Sequence, residues 1–182
     1  MDPSWIVTGI AVLVLVAWYV SYGAARLDRL HSRVEGALSV LDAQLVRRAE
    51  ATLELANCGA LDAASALLLA SAASDSLEAD TADHTSREAI ESDLTQALEM
   101  ALGEDALLHL RGDDAVGAPV LQRVADVNQR VQLARRFLND AVTDVRRVRR
   151  KPGVRLLRLA GHAELPQTFE IDDELPMLGR GA

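Results

Sequence analysis

The chain carries no charged residue from Pro3 to Ala25. At about 1.5 Å of helical rise per residue, that run spans roughly 34 Å, just over a hydrocarbon core of about 30 Å. Its interior, Ile6 to Val16, is aliphatic apart from Thr8 and Gly9. Trp5 stands at one end, and Trp18, Tyr19 and Tyr22 stand at the other, where amphipathic rings favour the headgroup layer. The pattern predicts a transmembrane helix, with residues 1–25 as the anchor. A cleaved signal peptide is the competing reading, and Gly23-Ala24-Ala25 offers it a small-residue cleavage site. It expects a basic start and an apolar run of about 7–15 residues, whereas this chain starts Met1-Asp2 and its run is longer. Arg26, Arg29 and Arg33 follow the span, and no Lys or Arg precedes it. The positive-inside rule therefore favours an N-terminus outside the cell and a C-terminal domain in the cytoplasm.

Of 182 residues, 157 follow position 25, enough for one domain with a core. Aromatic content is only 3%, and Ala and Leu are abundant, which suits helices better than strands. Cys58 is the single cysteine, so no intrachain disulfide or thiolate metal cluster is available. The net charge of −8 is unevenly spread. Positions 75–114 hold twelve acidic residues against two basic ones, whereas positions 146–151 are Arg-Arg-Val-Arg-Arg-Lys. Nucleic-acid binding wants a broadly basic face, so this distribution argues against it.

Beyond the span, Leu27, Leu30, Val34, Ala37, Leu41 and Leu45 form one helical stripe. No proline falls between Ile6 and Asn57, so the membrane helix is expected to continue into this one. Asn57-Cys58-Gly59 is its expected stop. Residues 60–77 are nearly all Ala, Leu and Ser, a weakly patterned helix expected to be packed on several sides or poorly ordered. Positions 80–85 are polar and loop-like, and Ser86 is the expected N-cap of a helix whose stripe is Ile90, Leu94, Ala97, Leu98, Ala101 and Leu102. Positions 103–117 form a connection with one turn near Leu107. The strongest pattern is Val120, Val124, Val127, Val131, Ala134, Leu138, Ala141, Val145 and Val148, opened by Pro119 and stopped by Pro152-Gly153. The expected fold is all-α: the N-terminal transmembrane helix continues into a long antiparallel bundle of three to four helices over 26–160. An acidic, extended and flexible tail over 161–182 completes it.

Two segments carry a resemblance. Arg33-Val34-Glu35, Ala37, Ser39, Asp42, Gln44-Leu45 and Arg47-Arg48 are similar to an early Asn-Arg-Val-Glu-Asn-Ala and Gln-Leu-x-Arg-Arg block of the LemA family of bacterial membrane proteins. Arg130-Val131, Ala134-Arg135-Arg136-Phe137 and Asn139-Asp140-Ala141-Val142 resemble that family's second block. Pro152, Gly161 and Phe169-Glu170 fall where the family has a Pro, a Gly and a terminal Phe-Glu. The chain departs from the family at Ala49, Leu53 and Glu54, where Tyr, Pro and Asn are usual. The resemblance implies one N-terminal span, a helical bundle, and partners among membrane zinc peptidases or envelope-stress factors.

No catalytic constellation stands out. His31, His84, His109 and His162 are scattered, so no metal site is expected, and no Gly-rich phosphate loop or cofactor motif is present. Arg33, Glu35, Asp42, Arg47, Arg48, Arg135, Arg136, Asn139 and Asp140 have two readings: a solvated face with interhelical pairs, or a polar layer setting register or docking a partner. Arg146, Arg147, Arg149, Arg150 and Lys151 are either a dipole-compatible helix end or a lipid-contacting cluster. The expected function is non-enzymatic: a membrane-anchored scaffold or regulator contacting the bilayer and other membrane proteins, with self-association open. The alternative is a membrane-linked sensor whose bundle binds a ligand.

Overall fold

The computed structural model describes residues 4–79, 84–112, 116–156, 165–175 and 178. Among them the chain is all-helical, with no strand. The elements are α1 (Ser4–Asn57), α2 (Ala63–Glu78), α3 (His84–Ala101), α4 (Glu104–Leu110), α5 (Gly117–Arg149) and α6 (Pro152–Leu156). Two compact units result. One contains Met1–Ala37 with Asn139–Thr168, the other Leu38–Leu138 with Phe169–Ala182.

The first unit begins with the apolar run. It is helical from Ser4, and α1 continues without a break to Asn57, as the absence of proline predicts. None of its most apolar window is buried. Trp5, Leu13 and Trp18 are each more than 60% exposed, so among the described residues most of this surface is uncovered. The rings of Trp18 and Tyr22 stack with centroids 6.1 Å apart. Just beyond, Leu27, Val148 and Val154 form a small buried cluster with Leu30 against it. A Cβ placed on Gly153 would lie 2.7 Å from the Tyr19 hydroxyl. The Pro152-Gly153 turn therefore rests on the aromatic end of the apolar run, and the small size of Gly153 permits that approach.

In the second unit α1 ends where expected. Gly59 takes φ 75°, the left-handed value that a residue without Cβ adopts at no cost. Asp62 then caps α2, accepting from the amides of Ala64 and Ser65 at 3.0 and 3.1 Å. Ser76 meets Glu91 and Ala79 meets Arg87, so α2 and α3 run antiparallel. The main core joins Leu55 of α1, Leu69 of α2, Leu98 of α3, Leu110 of α4 and Val124 of α5, all fully buried. All nine residues of the α5 stripe are buried across the two units, Val120 to Val148.

Two expectations change and a third becomes definite. The Ala-rich helix packs on more than one neighbour: α2 buries Leu69 and Ala73 among residues of α1 and α3 and Ser76 against Glu91, while Leu67 is exposed. Ser86 is not the N-cap, because α3 already runs from His84 and includes Thr85 and Ser86. The turn near Leu107 is a seven-residue helix, α4, which buries Leu107 and Leu110. Residues 80–83, 157–164 and 179–182, parts of the expected loop and tail, lie outside the described residues.

The described part of the tail, 165–175, has neither helix nor strand, and residues 169–175 are docked on α3 and α5 rather than free, because their apolar side chains and Asp173 find buried partners there. Burial alternates along it: Phe169, Ile171, Asp173 and Leu175 are buried, while Glu170, Asp172 and Glu174 are exposed. That period of two is what an extended chain shows when one edge is pressed against a surface. We refer to residues 169–175 as the strap.

Candidate functional site

The second unit holds two connected groups of polar side chains. The first centres on Arg48, which the helical pattern of α1 points inward beside Leu45 and Ala49, and which is fully buried. Its Nη2 donates to Glu91 Oε2 at 2.6 Å and to the Glu91 carbonyl at 2.8 Å, and its Nη1 donates to Thr95 Oγ1 at 3.2 Å. Glu91, also fully buried, accepts from Ser76 Oγ at 2.8 Å through its other oxygen. Arg87 Nε stands 3.2 Å from that oxygen. It is not aligned for a hydrogen bond, so the contact is ionic. Among the described residues, two buried guanidinium groups thus share one carboxylate. Buried charges persist only when paired and hydrogen-bonded, and this carboxylate serves both cations.

The second group binds the strap. Thr95 Oγ1, which accepts from Arg48, donates to the Asp172 carbonyl at 2.6 Å. Asn128 and Gln132 of α5 both donate to the Asp173 carbonyl, at 3.0 and 2.6 Å. Arg135 grips the Asp173 carboxylate with two parallel bonds, Nε to Oδ2 at 2.7 Å and Nη2 to Oδ1 at 3.1 Å. Such forks are short, charge-assisted and directional. From α3, Glu88 and Ser92 accept from the amides of Glu170 and Asp172 at 2.8 and 3.2 Å. The strap's backbone is therefore held by side chains of two helices.

The residues singled out from sequence separate on this geometry. Arg48 lies in the buried network and Arg135 in the strap clasp. Arg33, more than half exposed, is 3.5 Å from Asp144. Surface pairs of this kind are worth at most about 1 kcal/mol. Arg47, Arg136 and Asp140 are exposed. Glu35 is exposed and Asp42 and Asn139 are half-buried, and none of the three is without a partner. Arg33, Glu35, Asn139 and Asp140 fall in the first unit and the other five in the second. The partners that matter, Glu91, Arg87, Thr95, Asn128, Gln132 and Asp173, were not among them.

In the first unit, the basic run ends α5 beside the Tyr19 contact. Arg147, Arg150 and Lys151 are exposed, and Arg146 and Arg149 are half-buried. Arg146 Nε donates to the Pro166 carbonyl at 3.0 Å.

Two further features complete the survey. An open cleft of about 290 Å³ between α2 and α3 is lined by Ala72, Asp75, Glu78, Ala79, Ile90 and Asp93. Among the described residues, no three His, Cys, Asp or Glu side chains stand together as a metal site would need. No protein-family model, curated protein or solved structure matches the chain.

Proposed function

We propose that this chain is a membrane-anchored helical scaffold or regulator of the LemA type, acting through protein–protein contacts at the bilayer. The observation that carries the reading is the bare apolar surface of the first five to six turns of α1. An exposed apolar surface of that extent marks a membrane or protein contact, and its length suits a bilayer. The reading places the N-terminus outside and the polar helices, as an antiparallel bundle of three to four, on the cytoplasmic side. Arg26, Arg29 and Arg33 favour that orientation. The basic end of α5 adds to it, because its neighbour Tyr19 belongs to the aromatic belt. Of the basic residues there, the exposed Arg147, Arg150 and Lys151 are the ones free to meet anionic headgroups, at about 1 kcal/mol each, with the half-buried Arg146 and Arg149 behind them. From the family likeness, the partners are other membrane proteins, a membrane zinc peptidase among them.

A second reading, a sensor with a ligand-binding bundle, is favoured only by the α2–α3 cleft. Its three carboxylates suit a cationic or polar ligand rather than an apolar one. Photo-crosslinking separates the two. A photoreactive residue at position 137, where Phe137 is 56% exposed on α5, should give discrete adducts with another membrane protein in native membranes. Failure to find any protein adduct there, at several light doses, counts against the scaffold.

A further inference from the structure

We propose that the outward face of the seam between α1 and α5 in the second unit docks an acidic, amphipathic helix of another membrane protein. Val40, Leu133 and Phe137 form the apolar centre of that face, and Arg47 and Arg130 form its charged end. The proposal rests on the scaffold reading for the class of partner and adds where that partner binds and what chemistry it presents.

The register of the two helices selects this face. In the first unit Leu27 packs with Val148 and Arg33 stands 3.5 Å from Asp144, so α1 and α5 run antiparallel. In the second unit the same two helices are joined by Glu54 and Arg123 at 2.6 Å. One heptad from that pair, back along α1 and forward along α5, the same faces carry Arg47 and Arg130. A second heptad brings Val40 and Phe137 to one level, and a third is the Arg33 and Asp144 pair itself.

The rungs with ion pairs are closed within the chain, and the two between them are open. Val40 and Phe137 are 54% and 56% exposed, and Leu133, one turn before Phe137, is 51% exposed. Single exposed apolar side chains are ordinary, whereas three gathered at one level of a two-helix seam make a patch. Arg47 and Arg130 are exposed, and neither forms an ion pair among the described residues. Glu50 and Asp126 lie within about a turn of them without pairing, and Asp126 accepts instead from Gln122 at 2.7 Å. Like charges on facing helix positions repel, so this rung favours a carboxylate from outside. The chain uses that solution in its own interior, where Arg48 and Arg87 share Glu91. Exposed Ala43 lies between Val40 and Arg47, and its small side chain lets a third helix come close.

Charge chooses the occupant. Two copies anchored in one bilayer have parallel anchors, so rotation about the bilayer normal would set arginine against arginine. A separate helix matches both rungs when it carries an aliphatic stripe and, about 10 Å further along, a carboxylate. Such a helix laid in a groove takes its affinity from the stripe and its specificity from the charge.

The test uses the full chain in nanodiscs of neutral lipid. The probe is a fluorescein-labelled helical peptide of three heptads, with a leucine stripe flanked by glutamates, read by anisotropy. It should bind, and more weakly as salt rises. The same peptide with lysine in place of each glutamate should bind at least about tenfold more weakly. The acidic peptide should lose about tenfold on the Arg47→Gln, Arg130→Gln double variant and on Phe137→Ser, with helicity unchanged. On the Arg47→Glu, Arg130→Glu variant the lysine peptide should become the better binder. Equal binding of the two peptides to the parent chain overturns the inference, as does acidic-peptide binding that survives loss of both arginines. A photoreactive residue at position 137 that joins two copies of the chain in native membranes overturns the separate partner. Native adducts with another protein that survive the double variant keep the scaffold and overturn the acidic helix. Charge-dependent peptide binding without any native adduct supports the docking face and counts against the scaffold.

Discussion

Replacing Glu91 should be more damaging than replacing Arg48, although the two form one ion pair. The charge count decides it. At an effective dielectric of about 20, unit charges 4 Å apart attract by about 4 kcal/mol. Glu91→Gln removes two such attractions and leaves the guanidinium groups of Arg48 and Arg87 buried with no carboxylate between them among the described residues. Sparing the carboxylate's own desolvation returns part of that, and breaking a buried pair from one side costs about 3–5 kcal/mol. Arg48→Met leaves Arg87 and Glu91 as a one-to-one pair and fills the space of the Arg stem; its three lost bonds are offset by sparing the guanidinium's own desolvation, so the net cost stays below that of leaving a buried charge unpaired. For a chain of this size each kcal/mol moves the midpoint by about 2–4 °C, so Glu91→Gln should fall by about 6–20 °C and Arg48→Met by clearly less. Thermal unfolding of the full chain in mild detergent, followed by far-ultraviolet circular dichroism, gives both numbers. An Arg48→Met loss equal to or above that of Glu91→Gln would refute the charge count.

Three other outcomes are expected. Cys58, half-buried and the only thiol, should resist a membrane-impermeant maleimide in intact cells and react in lysed, mildly denatured membranes; labelling of intact cells would place the domain outside. Asp62 has its carboxyl held below the usual value of 3.8, first by the Ser65 side chain and then by the Ser65 and Ala64 amides. A folded-state value below the unfolded one means that its contribution is present above about pH 4 and fades as pH falls through the folded value; Asp62→Ala should thus flatten acid destabilisation in that window, and an unchanged acid limb would contradict it. Nanodiscs with anionic lipid should raise the chain's unfolding midpoint over neutral ones, less so at high salt, and changing Arg146, Arg147, Arg149, Arg150 and Lys151 to Gln should erase the difference. Equal gains in parent and variant would remove the lipid contact.

Much of the fold was legible because it rests on local periodicity. The uncharged run, the stop at Gly59 and the α5 stripe are each written within one stretch of chain, and each appears where the spacing put it. Boundaries set by competition were not: Ser86 has the side chain of a cap, but nothing forbids helix at His84 and Thr85, so α3 starts earlier. The polar network was illegible for a different reason. Arg48 resembles Arg47 in sequence, and only the helical phase relative to Leu45 and Ala49 separates the buried one from the exposed one. Its partner Glu91 lies 43 positions away. The strap carried a signal that was available, apolar residues at 169, 171 and 175. The intervening Asp173 breaks the apolar reading, because a carboxylate is expected in solvent unless an arginine such as Arg135 awaits it.

The placement of the tryptophans has a spectroscopic consequence. The chain has two, Trp5 and Trp18, and both stand on the exposed apolar stretch of α1. The polar helices contain no indole. Tryptophan emission therefore reports the surroundings of the apolar stretch: its wavelength follows polarity at the two ends, and, if a bilayer is added, quenchers placed at known lipid depth test where each ring sits. Loss of structure in the second unit is read instead through backbone amides. Insertion and folding can be followed in one cuvette, on two independent channels, without any added label.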